Sequence, residues 1–160
     1  MKKKSMSKEI KYSSKYLHTD IVRECFQDNT YNFVDKQLTG NGFTTAFLNL
    51  TPAHEFQSNI IIVPNREVVK SKKFVYENST NNTVKIGFFY GDESSDRLEF
   101  GKFDVMMFVV DSFLNYIDGI KKNIDCIDKI LIDEAHSILI QSVFRNRLVG
   151  FTELVRNDFK

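Results

Sequence analysis

Four consecutive β-branched residues, Ile60-Ile61-Ile62-Val63, run straight into Pro64. Successive side chains of a strand point to opposite faces, so a run without polar alternation belongs to a strand covered on both sides. Pro64 has no backbone N–H and ends the pairing. A strand covered on both sides belongs in a parallel sheet between layers of helix, and the rest of the chain reads the same way. Strands are predicted at Tyr31–Leu38, Thr83–Tyr90, Phe103–Val110 and Ile127–Ile132. An amphipathic helix is predicted over 13–27, with Tyr16, Leu17, Ile21, Val22 and Phe26 as its apolar positions. Further helices are predicted over 44–50, stopped by Pro52, over 66–73, from about 111 to 122, and through most of 135–155. Glu77 to Asn82 reads as a polar turn. Alternating strands and helices predict an α/β fold, a parallel sheet flanked by helices. Functional residues of such sheets gather at the carboxyl ends of the strands.

Composition sets the remaining bounds. A chain of 160 residues, 42% hydrophobic and 27% charged, suits one globular domain. Two Pro and seven Gly argue against a disordered chain. Residues 1–15 are polar and read as a flexible basic N-terminus carrying Lys2, Lys3 and Lys4; residues 16–160 read as a single lobe. With 15 Phe and no Trp, the core is expected to be rich in Phe, Ile and Val. Phe88, Phe89, Phe100, Phe103, Phe108 and Phe113 are assigned to it, and His18 and His54 to the surface. The net charge of +1 gives no overall sign of a polyanionic partner, although Lys70, Lys72 and Lys73 cluster locally. Cys25 and Cys126 have no metal-site spacing and read as reduced thiols. No apolar segment follows the basic start, and no run approaches the roughly 20 residues of a membrane span. The expectation is a soluble, cytoplasmic protein with no membrane partner.

The most informative stretch is Ile130-Leu131-Ile132-Asp133-Glu134-Ala135-His136. An apolar strand delivers two acids to its carboxyl end, where unpaired charge near a core is costly. Acids at a helix N-terminus suit the helix dipole, and that explains acids here without explaining their order. Hydrolysis of a nucleoside triphosphate does explain it. Asp133 would hold a magnesium ion through water, and Glu134 would polarise the attacking water. Ala135 allows close packing, and His136 is placed to sense the phosphate end.

Asp133-Glu134-Ala135-His136 resembles motif II of the DEAH-type superfamily 2 helicases. Upstream, Thr39-Gly40-Asn41-Gly42-Phe43-Thr44-Thr45 is similar to their phosphate loop, with Phe43 where the family has lysine. Glycines let backbone N–H groups close around phosphates, and the following helix adds its dipole. The resemblance implies ATP on Thr39, Gly40, Asn41, Gly42, Thr44 and Thr45, with Mg2+ on Thr44 and Asp133. Phe43 cannot make the lysine's charged contact, so weak nucleotide binding and hydrolysis slower by orders of magnitude are implied. Lys36 lies near the loop, at a spacing the family does not use. Ile61-Ile62-Val63-Pro64-Asn65-Arg66-Glu67 resembles motif Ia, which lies along the nucleic-acid backbone. The resemblance therefore assigns Asn65, Arg66 and Lys70 to phosphate contacts. A capping turn followed by a solvated basic helix explains that segment equally well. Tyr90-Gly91-Asp92 and Val110-Asp111-Ser112-Phe113-Leu114 match the family poorly, and Asp111 or Ser112 reads as a helix cap.

The resemblance covers about residues 30–140. It implies an N-terminal RecA-like P-loop NTPase lobe with Glu134 and His136 as catalytic residues and DNA or RNA as partner. It also implies an incomplete lobe, because residues 137–160 hold helical sequence where a motif III strand is expected, and no second lobe follows. That lobe, or another protein subunit, becomes an expected partner. An origin in a phage or mobile element would suit such a form. Two other readings stay open: a nucleotide- or nucleic-acid-binding module without turnover, and a structural or protein-interaction remnant.

Overall fold

The computed structural model describes residues 43–80, 82–91 and 96–158. The chain divides after Leu50 into two units. In the first, the described part is a short helix, α1 (Phe43–Leu48), ended by a turn in which the Asn49 and Leu50 N–H groups donate to the Ala46 and Phe47 carbonyls. The helix predicted over 13–27, the strand at Tyr31–Leu38 and the loop Thr39–Gly42 lie outside the described residues. So do Lys2, Lys3, Lys4, His18, Cys25 and Lys36.

The second unit contains β1 (Ser58–Val63), α2 (Arg66–Glu77), β2 (Ile86–Phe89), β3 (Val105–Val109) and α3 (Val110–Lys122). A 3-10 turn (Ile124–Cys126), β4 (Ile127–Ile132), α4 (Ala135–Ser142), a second 3-10 turn (Asn146–Leu148) and α5 (Phe151–Asp158) complete it. The four strands form one sheet in the order β2-β3-β1-β4, and every pairing is parallel. Fold class is thus α/β with an all-parallel sheet between helices, as the β-branched runs predicted.

Side-chain parity shows how the layers are assigned. Ile60 and Ile62 of β1, Met106 and Phe108 of β3 and Phe89 of β2 face a core that also holds Val110, Phe113 and Ile120 of α3. Ile138, Leu148 and Phe151 close the same core from the C-terminal segment. The opposite face carries α2, whose Val69 is fully buried and whose Tyr76 ring packs 5.7 Å from Phe88. The crossover from β1 to β2 and the crossover from β3 to β4 travel in opposite directions along the sheet. Right-handed connections then put α2 and α3 on opposite faces, which is the arrangement the parity gives. Phe88, Phe89, Phe103, Phe108 and Phe113 are buried and Phe100 is half-buried, so the aromatic residues assigned to the core are in it. His54 is exposed, as expected.

Several bounds differ from the sequence reading, each for a local reason. α2 runs on to Glu77, four residues past Lys73, because Tyr76 is anchored by its hydroxyl to the Val84 carbonyl ahead of β2, at 3.0 Å, and by its ring against Phe88. β2 begins only at Ile86, because the Lys85 N–H is taken by the Asp104 carboxylate at 2.7 Å. Helix α3 starts one residue early, at Val110, with Val109 as its N-cap residue and no side-chain cap. Neither Asp111 nor Ser112 caps it, which corrects that expectation; Asp111 is paired with Arg145 instead. The segment expected to be mostly helical is broken into α4 and α5. Arg145 is extended and Gly150 has φ +78, so the chain turns a corner that lets Leu148 and Phe151 enter the core. Among the described residues, no helix is long and apolar enough to cross a membrane.

Candidate functional site

Parallel strands bring their carboxyl ends to one edge, where the register aligns Phe89 with Phe108, Val63 with Val109 and Ile62 with Ile132. The chain leaves that edge through Tyr90-Gly91, the first turn of α3 at Val110-Asp111, Pro64-Asn65 with Arg66 opening α2, and Asp133-Glu134, in the spatial order of their strands. Helices leave β1 toward one face and β3 and β4 toward the other, so crevices of the kind that bind ligands flank the end of β1. Asp133 and Glu134 follow β4, and Asn65 and Arg66 follow β1, the strand paired beside it.

Asp133 is held by both backbone and side chain. Its N–H donates to the Ile62 carbonyl at 2.9 Å, which extends the β4–β1 pairing by one residue. Its Oδ1 accepts the Glu134 N–H at 3.0 Å, and the residue is only 8% exposed. Glu134 adopts φ 52, ψ 44, a left-handed conformation that costs a residue with a Cβ about 1–2 kcal/mol. The conformation reverses the chain within one residue, so α4 starts at once and Ile138 reaches the core. Outliers of this kind persist where the surrounding structure over-determines them, and they concentrate at functional sites. The Glu134 carboxylate lies 3.3 Å from His136 Nε2, with the imidazole on the outside of the turn.

A buried carboxylate at a strand end is suited to hold a hard cation. Among the described residues no three His, Cys, Asp or Glu side chains come together as a metal cage. Asp133 alone would give a magnesium ion one protein ligand, leaving the others to water and phosphate oxygens, the way Mg2+ is commonly bound. Thr44 and Thr45 lie in α1, in the first unit, while Asp133, Glu134 and His136 are together in the second. Thr39, Gly40, Asn41 and Gly42 are outside the described residues.

Asn65, Arg66 and Lys70 occur together at the start of α2. Asn65 is its N-cap, with Oδ1 accepting the Val68 N–H at 3.1 Å, so its oxygen serves the helix. Arg66 and Lys70 are exposed. The Arg66 guanidinium lies against Gly91, where a Cβ would meet Nη2 at 2.8 Å, a contact the exposed arginine can relieve by moving; the φ of +100 is what favours glycine there. Beside it, Lys73 Nζ lies 3.4 Å from the Tyr90 hydroxyl and 5.5 Å from the centre of its ring.

Sequence reasoning missed the contacts that fasten the C-terminal segment to the start of α3. Arg145 bridges the Asp111 carboxylate and the Gln141 side chain, and Arg147 binds Asn115. Asp111 and Arg145 are 34 residues apart, and no local pattern joins them. Asp111 and Asn115, spaced four apart on one helix face, were the available signal. No protein-family model, no curated protein and no solved structure matches the chain.

Proposed function

We propose that this chain is the ATP-binding N-terminal lobe of a DEAD/DEAH-box helicase-like protein that acts on nucleic acid in the cytoplasm. The observation that supports the reading is the Asp133–Glu134 turn. It couples a buried carboxylate to a left-handed Glu134 at the carboxyl end of β4, next to the Asn65–Arg66 loop. A bound ATP with Mg2+ would supply the scissile phosphate and the charge that organises it. Asp133, fixed by the Glu134 N–H, would orient the ion, and Glu134 would take the proton of an attacking water. His136, 3.3 Å from Glu134, would hold that carboxylate in place. Phosphate contacts would come from Thr39, Gly40, Asn41, Gly42, Thr44 and Thr45, and nucleic-acid contacts from Asn65, Arg66 and Lys70.

Phe43 in place of the phosphate-binding lysine favours a second reading, a nucleotide- or nucleic-acid-binding module without turnover. One titration addresses both. A fluorescent ATP analogue with Mg2+ is titrated into the native chain, Phe43→Lys and Asp133→Ala. Tighter binding by Phe43→Lys and weaker binding by Asp133→Ala is the expected result. Binding by none of the three removes the nucleotide from the proposal. Binding without product formation, even with a second helicase lobe added, selects the non-hydrolysing module.

A further inference from the structure

Helix α2 carries, one turn beyond the Arg66 and Lys70 assigned to nucleic acid above, an exposed aromatic residue, Phe74, that the proposed function does not use. Its rotation is set by Val69, fully buried, and by Tyr76, whose hydroxyl binds the Val84 carbonyl and whose ring meets Phe88. Phe74 lies roughly 140° around the helix from Val69 and is 67% exposed. Arg66, Lys70 and Phe74 follow one another at four-residue spacing, and all three are exposed. Residues four apart are surface neighbours, so the three form one ridge with steps of about 6 Å. The ridge begins at the carboxyl edge, where Arg66 lies against Gly91.

Charge says what kind of ligand suits this ridge. Helix α2 carries four basic residues, Arg66, Lys70, Lys72 and Lys73, against two acids, Glu67 and Glu77, a net of +2, whereas the whole chain is +1. Glu67 sits in the first turn, where the helix dipole favours an acid, and Glu77 lies 3.9 Å from Lys73. A lone exposed Phe needs no explanation. An exposed Phe one turn beyond two aligned cations has the composition of a single-strand binding surface, in which cations track the backbone and an aromatic face takes a base. A duplex offers no free base face to such a ring.

We propose that the Arg66–Lys70–Phe74 ridge binds a single strand of nucleic acid, with phosphates on the two cations and one base stacked on the Phe74 ring. The proposal rests on the nucleic-acid half of the function above and is independent of ATP.

The test is fluorescence anisotropy with the full chain, using a labelled single-stranded DNA, the same sequence as RNA, and the matching DNA duplex, across 50–200 mM salt, roughly the range over which phosphate contacts are diagnostic. Single strands are expected to bind more tightly than the duplex. Phe74→Ala should weaken single-strand binding roughly tenfold, and Phe74→Tyr should restore it. Lys70→Ala should lower the salt slope by about one. Thermal unfolding of Phe74→Ala is expected to match the native chain, since the ring is mostly exposed. Equal affinity for strand and duplex, or a Phe74→Ala variant with native affinity, overturns the ridge but leaves nucleic-acid binding in place. No binding to any oligonucleotide overturns both. Self-association abolished by Phe74→Ala, without nucleic-acid binding, would assign Phe74 and its exposed neighbour Val75 to a protein contact and also overturns the proposal. Preference between the DNA and RNA strands then identifies which of the two the ridge takes.

Discussion

Phe108 and Ile130 lie on the same face of the same sheet, two strands apart, in different surroundings. Phe108 is fully buried, stacked 4.5 Å from Phe89 and set edge-on to Phe113 and Tyr116 at 5.9 and 6.2 Å. Ile130 belongs to β4, whose six residues are all partly exposed, although four of them are apolar. The helix after β4 leaves Leu139 and Ile140 largely exposed, and Val143 and Phe144 beyond it are 75% and 84% exposed. Packing is dense on the β2–β3 flank. The β4 flank carries the left-handed Glu134, the buried Asp133 and the exposed apolar surface. The molecule thus keeps its well-packed aromatic layer away from the turn it strains. A site that must hold a strained residue needs a rigid neighbour to over-determine it, and β1, shared by both flanks, provides that link through the Ile62–Asp133 hydrogen bond.

That contrast is open to direct attack. Phe108→Ala should cost about 3–5 kcal/mol in urea unfolding, and Ile130→Ala about 1–2 kcal/mol, because Ile130 is only partly buried. Equal losses would show that β4 is as well covered as β3 and would end the comparison. A smaller effect of opposite sign is expected at the turn. Glu134→Gly should raise stability by roughly 0.5–1 kcal/mol by releasing the left-handed strain, whereas Glu134→Ala should not. A loss of stability in Glu134→Gly would mean that the strain is absent in solution. Arg145→Ala should cost less than about 1 kcal/mol, because both partners of the Asp111 pair are more than a third exposed. A double-mutant cycle with Asp111→Asn measures the coupling, and a value well above that would place the pair in a drier setting. Phe144→Glu should change stability by less than about 0.5 kcal/mol. A larger loss, seen alongside a concentration-dependent melting point, would reveal that the β4 flank is covered by a second molecule.

Much of this architecture was legible before any coordinates. The run Ile60–Val63 predicted a strand covered on both faces, and all six residues of β1 are buried. Ile127–Ile132 predicted both bounds of β4 and put Asp133-Glu134 at its carboxyl end. Arg66 as the first residue of α2 followed from Pro64 ahead of it, with the Asn65 cap supplying the local bond. The features that escaped the sequence all depend on partners far along the chain. A glutamate is an unfavoured residue for the left-handed region, so no local rule selects it at 134; the Ile62–Asp133 bond behind it and the burial of Ile138 ahead of it force the reversal. The break between α4 and α5 is of the same kind. Gly150 hinted at it, but burying Leu148 and Phe151 against α3 is what draws the chain around the corner.

The amino-acid sequence by itself determined the parallel α/β class, the two central apolar strands and the placing of acids and bases at strand ends. Each of those follows from residue type and spacing within a few neighbours. Only the tertiary structure decided that Asp133 is buried and Glu134 strained, that Asp111 meets Arg145 instead of capping α3, and that Arg66, Lys70 and Phe74 share one exposed ridge. Burial and the orientation of a helix depend on what packs against it, and here the packing residues lie on other strands and helices.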